Sequence, residues 1–546
     1  MKRISCLIGF ILVISMLLLS SCTAYDVGLI VDDVLERQRS AEEDFRYEIV
    51  DGEAIITECL AKGGKFSSFD IVIPAELGGC KVVEIGANAF SNNSSIVSLV
   101  IPDTVERIGN EAFYGMWYLD EIRIPASVKE IGDRAFGDIT PFYIEVDPEN
   151  EYYSSADGNL YNKDGTVLIQ HTRKRDEESV TVPNGVLELA PYSFYDCYNL
   201  KEVTLPDSLI TIGENAFGCS NVVEKLVIPD SVAQIGRFAL VGCKCVSVAE
   251  GNQNYKSIDG TVYSLDGSIL IKQSDSVTDF VVPEGVTRIA EAAFKYVDIE
   301  SISLPETLES IGESAFRACK LKAVDIPEGV KIIEKEAFYS CRELTDVYIS
   351  STVEEIGENV FVYNHKLVNI DVKQGNERYK SIEGSLYTKD GRVLLQYAIG
   401  KTDEEFRITD GIEKISKSAF RECSYIERVV MPDSIVKIEE YAFYGCRKLK
   451  NVTLSNRLEH IGKSAFMSTD IDDIVLPASV NYIGGYAFCY KNELSNYVFV
   501  TFENVYGWTA TNDEGVKTSI EPGFLSSKMM SLSTYRKYSD CDWIRE

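Results

Sequence analysis

Residues 205–217 read LPDSLITIGENAF, and near copies of that stretch return along most of the chain. Residues 101–113 read IPDTVERIGNEAF, and residues 124–136, 304–316 and 476–488 repeat the same pattern. The Ala-Phe pairs, or close variants, end at Phe90, Phe113, Phe136, Phe194, Phe217, Leu240, Phe294, Phe316, Phe338, Phe361, Phe420, Phe443, Phe466 and Phe488. Within a block the step is 22 or 23 residues. A period of that length means stacked units, each unable to bury its apolar face alone.

Each copy has readable physics. Leu200, Val203 and Leu205 are apolar with polar residues between them, which suits a short half-buried strand. Pro206 ends the strand, because it has no N–H to give to a ladder. Asp207 and Ser208 make a turn, and Leu209 and Ile212 return to the core. Gly213 marks a tight backbone bend. Ala216 and Phe217 close the coil, with Phe as the largest core piece.

Three longer interruptions contain YYSSADGNLYNKDGTVLIQ from Tyr152, YKSIDGTVYSLDGSILIKQ from Tyr255 and YKSIEGSLYTKDGRVLLQY from Tyr379. The flanking Phe slots stand 58, 54 and 59 residues apart there, about two and a half periods. The second Asp-Gly of each (Asp164-Gly165, Asp266-Gly267, Asp390-Gly391) lies between apolar runs, a strong hairpin signal. The expected architecture is a β-rich solenoid of about 14 coils with three β-hairpin inserts and terminal caps. Its divisions are a signal segment at 1–21, a tether at 22–46, an N-terminal cap at 47–69, the stack at 70–490 and a C-terminal cap at 491–546.

Formal net charge is −31. Lys2 and Arg3 are the only charges in the first 21 residues, so the remainder carries −33. That acidity argues against nucleic-acid binding, which needs a basic footprint, and favours solubility and cation association. Lys2 and Arg3 precede an apolar run at about 4–19, too short for a comfortable membrane span, as in an export signal. Leu19-Ser20-Ser21-Cys22 resembles a bacterial lipobox, which implies a diacylated Cys22 at the mature N-terminus. An ordinary signal peptide with an incidental Cys is the alternative, and either implies export. Acyl chains on Cys22 would hold the protein at a membrane surface. No later segment reads as a membrane span.

The words IPxxVxxIGxxAFxxC, joined to the YxSxDGxLYxxDG insert, resemble the BspA-like leucine-rich repeats of bacterial surface proteins. The resemblance runs from about Tyr47 to Tyr490. It implies a right-handed, curved leucine-rich-repeat stack and adhesion or ligand binding at the cell surface. Periodicity alone gives the solenoid and says nothing of adhesion.

Signals for chemistry are sparse. Cys197, Cys243, Cys319, Cys341, Cys423 and Cys446 each follow the Phe slot by three, with Cys219 and Cys489 slightly closer. Such a column is a row of buried small thiols or a set of inter-coil disulfides. Cys243-Lys244-Cys245 has no second pair at zinc spacing. The histidines are His171, His365 and His460. His460 falls in a slot expected to be exposed, and His171 corresponds to Gln273 and Tyr397 in the other inserts. No nucleophile or metalloprotease motif accompanies them. The Asp-Gly pairs lack the ligand series of a calcium loop. No catalytic residue, metal site or cofactor is expected.

The outward strand slot is the candidate site. It reads Val100, Arg123, Thr204, Val227, Ser303, Asp325, Tyr348, Val430, Thr453 and Val475. Core slots stay nearly constant while these vary. A tailored binding platform would look like this, and so would ordinary solvent-facing β-formers. Arg123, Thr204, Val227, Ser303, Asp325, Tyr348, Val430 and Thr453 are the expected contacts, with Tyr348 the first anchor. The functional expectation is a non-enzymatic, lipid-anchored surface binding or adhesion protein for a protein or glycan ligand. The alternatives are an envelope-organising scaffold for bacterial partners and, least favoured, a carboxylate-based hydrolase.

Overall fold

The structure, a computed structural model, describes residues 38–39, 41–61, 69–139, 143–172, 177–218, 223–274, 277–489, 499–512, 515–520 and 541–545. The signal segment, Cys22, Cys219 and most of the expected tether lie outside the described residues, as do residues 490–498 and 521–540. The chain divides into two compact units, Met1–Lys244 and Cys245–Glu546. Each is a β-solenoid of stacked coils. Among the described residues the helix is one 3-10 turn, Glu42–Asp44.

Each regular coil has two strands. A strand of three to five residues, such as Ala323–Asp325 or Asp346–Ile349, pairs in parallel with the equivalent strand of the next coil. A two-residue strand past the proline, such as Ser310–Ile311, pairs with Ile332–Ile333 of the next coil. The turn bearing Ala-Phe closes the coil. Among the described residues, the longer strands number 18 from Phe69–Val72 to Phe499–Phe502, against 14 Phe slots. The four extra turns hold Tyr143–Val146, Val246–Val248, Asn369–Val372 and Phe499–Phe502, which no Ala-Phe pair follows.

The core is a ladder of rings. Phe294, Phe316, Phe338 and Phe361 stack with centroids 4.9, 5.1 and 6.0 Å apart. Phe420, Phe443, Phe466 and Phe488 repeat this at 4.7, 5.1 and 5.5 Å. The hairpin units keep the column going with other rings: His171 lies 4.8 Å from Phe194, and Tyr397 4.8 Å from Phe420.

The repeated glycine serves a purpose other than the expected bend. A Cβ on Gly213 would fall 2.6 Å from the Leu189 carbonyl oxygen and the Pro191 nitrogen of the preceding coil. At Gly213 this close approach of backbones leaves no room for a side chain, although Ala190, Ala290, Glu334, Ser416 and Glu439 occupy the equivalent slot in other coils. The bend falls two residues later, where Asn215, Ser314, Glu336 and Ser464 take φ of 51°, 56°, 58° and 53°. That left-handed conformation is unfavourable for these residues. It aims each N–H at the next coil, as in Ser314 N–H to the Lys335 oxygen at 3.0 Å.

Each insert is a three-stranded antiparallel meander rather than a single hairpin. In the third, Tyr379–Ile382 pairs with Ser385–Thr388, which pairs with Val393–Gln396. The first turn carries φ of 48° at Glu383 and 69° at Gly384, and the second carries 76° at Gly391. Two successive positive φ values are what a tight two-residue hairpin turn requires. A buried Asn fastens the unit to the coil before it. Asn376 donates to the Ser350 and Val353 oxygens and accepts from the Arg378 and Tyr379 amides, all at 2.7–3.0 Å. Asn150 does the same in the first insert.

Antiparallel strands cover the ends. Phe45–Val50 and Glu53–Cys59 form a hairpin, and Gln38–Arg39 pairs in parallel with Phe69–Val72. Asp542–Arg545 crosses Tyr482–Ile483 and Trp508–Thr511, with Trp508 and Trp543 buried against Phe502.

Candidate ligand-binding face

Alternation along the longer strand decides which side chains reach solvent. In Asp346–Ile349, Val347 and Ile349 are buried while Tyr348 stays 43% exposed. The register places Asp325 and Asp371 directly on either side of Tyr348, one strand away in each direction. Where these strands end, the chain leaves a groove of about 520 Å³. Ser303, Asp325, Tyr348 and Asp371 line its floor, and Glu306, Glu328 and Lys373 line its edge.

The groove is electrostatically one-sided. Four carboxylates line it (Glu306, Asp325, Glu328, Asp371) against one ammonium, Lys373, a net of −3. Lys373 is ion-paired with Glu328, which also accepts from Ser351 Oγ at 2.7 Å. That pair holds the Glu328 carboxyl below the usual carboxylate range. It also raises the Lys373 ammonium, to which the negative field of Glu306 and Asp325 adds. Among the described residues, neither the Asp325 nor the Asp371 carboxylate makes a hydrogen bond or ion pair.

The other expected contacts lie elsewhere. Arg123 is exposed beside Val100, with Nη2 2.8 Å from Asp147 Oδ2. Thr204 pairs in register with Thr181, and Val227 is exposed on Lys225–Ile228. These three belong to the first unit. In the second unit, Val430 is half-buried between Arg407 and an exposed Thr453. Ser303, Asp325 and Tyr348 are therefore the expected residues that share one groove.

A second hollow, of about 420 Å³, lies beside the third meander. Its lysines are already answered: Lys414 Nζ lies 2.6 Å from Glu439 and Lys417 Nζ 3.1 Å from Glu358.

The family profile for the BspA type leucine rich repeat region matches six copies, over residues 81–155, 173–270, 267–387 and 401–508. The chain belongs to the BspA-type leucine-rich repeat family. No curated protein matches it. Among solved structures it is similar to a leucine-rich cell surface protein from Faecalibacterium prausnitzii, at 26% identity, 76% of this chain, 93% of that one and a TM-score of 0.35. The pneumococcal vaccine antigen PcpA matches at 22% identity, 65% and 80% coverage and a TM-score of 0.39. A leucine-rich repeat protein from Eubacterium ventriosum matches at 18% identity, 87% and 97% coverage and a TM-score of 0.33.

Within this BspA-type chain the thiol column is settled by geometry. Cys319, Cys341, Cys423 and Cys446 are free thiols. Cys319 and Cys341 donate to the Phe294 and Phe316 oxygens of the preceding coil at 3.0 Å, and Cys446 to the Phe420 oxygen at 3.1 Å. Asn364 fills the same slot and donates to the Phe338 oxygen at 3.1 Å, whereas Met116, Ile139 and Val297 fill it with buried apolar side chains in other coils. Burial pushes the Cys341 thiol up to about 12, which withholds the reactive thiolate. Among the described residues no cluster could hold a metal ion. His460 is not in an exposed slot: its ring stacks 4.3 Å from Tyr482 and is half-buried, and burial lowers its pKa.

Sequence reasoning missed Asp371, Glu306, Glu328 and Lys373. Asp371 was legible in KLVNIDV, whose alternation matches the other outward strands. Without a following Ala-Phe it did not register as a coil. The edge residues follow the strand-ending slot, where Pro305 and Pro327 turn the chain over the groove.

Proposed function

We propose that this protein is a non-enzymatic binding protein of the bacterial cell surface, holding a protein or glycan ligand on the outward strand face of its second unit. The groove around Tyr348 carries the reading: an exposed ring in a concave site, flanked by the Asp325 and Asp371 carboxylates and with a net charge of −3 along its lining. Exposed aromatics anchored in a pocket supply much of the affinity at recognition surfaces. The family is typically non-enzymatic, and the described histidines lie against rings: His171 on Phe194, with its Nε2 3.2 Å from Glu177 Oε2, His365 on Tyr363 and His460 on Tyr482. Export and anchoring are assigned to the signal at 1–21 and to acylation of Cys22.

Two experiments test this. The purified chain is screened against extracellular-matrix proteins and glycan arrays, and hits are repeated with Tyr348→Ala. Binding that drops with the variant while thermal unfolding stays unchanged supports the groove; a ligand bound equally by both proteins overturns it. Cys22→Ala should release the protein from the cell envelope and abolish labelling by a palmitate analogue. Retained label refutes the anchor.

A further inference from the structure

Resting on that binding reading, we propose that the groove takes a lysine- or arginine-bearing segment of a partner protein, its cation over the Tyr348 ring between Asp325 and Asp371.

The register puts three side chains in one row: carboxylate, phenol ring, carboxylate. Adjacent strands stand about 4.8 Å apart, so the backbones that carry the two carboxylates lie about 10 Å apart with that of Tyr348 between them. A guanidinium or ammonium on the ring face gains cation–π attraction and meets a carboxylate on each side. Among the described residues that line the groove, Lys373 is the one cation. Lys373 is committed to Glu328 at the groove edge, and Ser303 brings no charge. A neutral sugar would hydrogen-bond the same carboxylates but leave the −3 field unanswered. A basic segment answers it, and a chain of net charge −31 steers such a partner inward.

The probe is a fluorescent peptide with three arginines spaced by Gly-Ser, with a citrulline version of equal length as control. Anisotropy against the full chain should show binding by the arginine peptide that weakens as salt rises. Asp325→Asn with Asp371→Asn should weaken it about tenfold. Tyr348→Ala should also weaken it several-fold, while Tyr348→Phe keeps it. Glu405→Gln, on a distant part of the same face, should leave it unchanged. Equal binding of the citrulline peptide, or undiminished binding by the double Asn variant, overturns the cationic occupant. If a neutral glycan binds instead and still needs Tyr348, the strand-face reading survives and this inference fails. If no ligand depends on Tyr348, both fail.

Discussion

The strand face at residues 279–372 and the same face at residues 405–476 are built on one scaffold and carry opposite charge logic. In the first, Tyr348 sits between two carboxylates without partners. In the second, Val430 occupies the equivalent slot between Arg407 and Thr453. There Glu405 is spoken for twice, by Arg428 at 2.8 Å and Arg407 at 2.6 Å. Beneath both faces the core is the same stacked phenylalanines and hydrogen-bonded thiols. The solenoid thus fixes where an outward side chain stands and leaves open which one it is. Recognition then depends on which charges the protein leaves without an internal partner.

Four measurements would break or sharpen that contrast. The largest effect should come from the shared core. Phe316→Ala should destabilise the second unit by about 3–5 kcal/mol, whereas Tyr348→Ala should stay within about 0.5 kcal/mol; urea unfolding of both compares them directly. Similar losses would mean that Tyr348 is structural and the face is not free.

Alkaline titration comes next. Burial raises the Cys341 pKa from 9.0 to about 12, and raises those of Cys319, Cys423 and Cys446. A raised folded-state pKa contributes stability that is full below the unfolded value and is lost as pH climbs through the folded one. Stability should therefore fall between about pH 9 and 12. At pH 8.5, iodoacetamide should label the exposed Cys245 while sparing these four. Rapid labelling in one block only would show that the two cores differ.

A graft tests the faces themselves. Arg407→Asp, Val430→Tyr and Thr453→Asp together rebuild the charged row in the second block. The arginine peptide should bind the variant about tenfold more tightly there, read in a background that also carries Asp325→Asn and Asp371→Asn. No gain would mean that the groove edge of Glu306 and Glu328 matters more than the row. The smallest effect belongs to Glu405→Gln, which removes exposed ion pairs and should change unfolding stability by less than about 1 kcal/mol.

Much of the fold was legible because core slots tolerate few residues. Leu209, Ile212, Ala216 and Phe217 are each fully buried where the repeat placed them. The meanders were half legible: the Asp-Gly pairs read as hairpin turns rather than a calcium loop, and Asp157 and Gly158 take positive φ of 51° and 82°, but each insert read as one hairpin rather than three strands. The site was less legible still. Tyr348, Asp325 and Ser303 stood out as variable outward slots, but Asp371 lay in a strand without the repeat's closing words.

What the sequence determined by itself was the coil: its period, its buried rungs and the direction of each side chain, all of them local consequences of alternation, proline and volume. Only the tertiary structure decided which coils lie side by side in register, and so which carboxylates flank Tyr348 and which are already taken. Pairing between strands joins residues more than twenty positions apart, and Coulomb interactions depend on that distance in space rather than on the spacing along the chain.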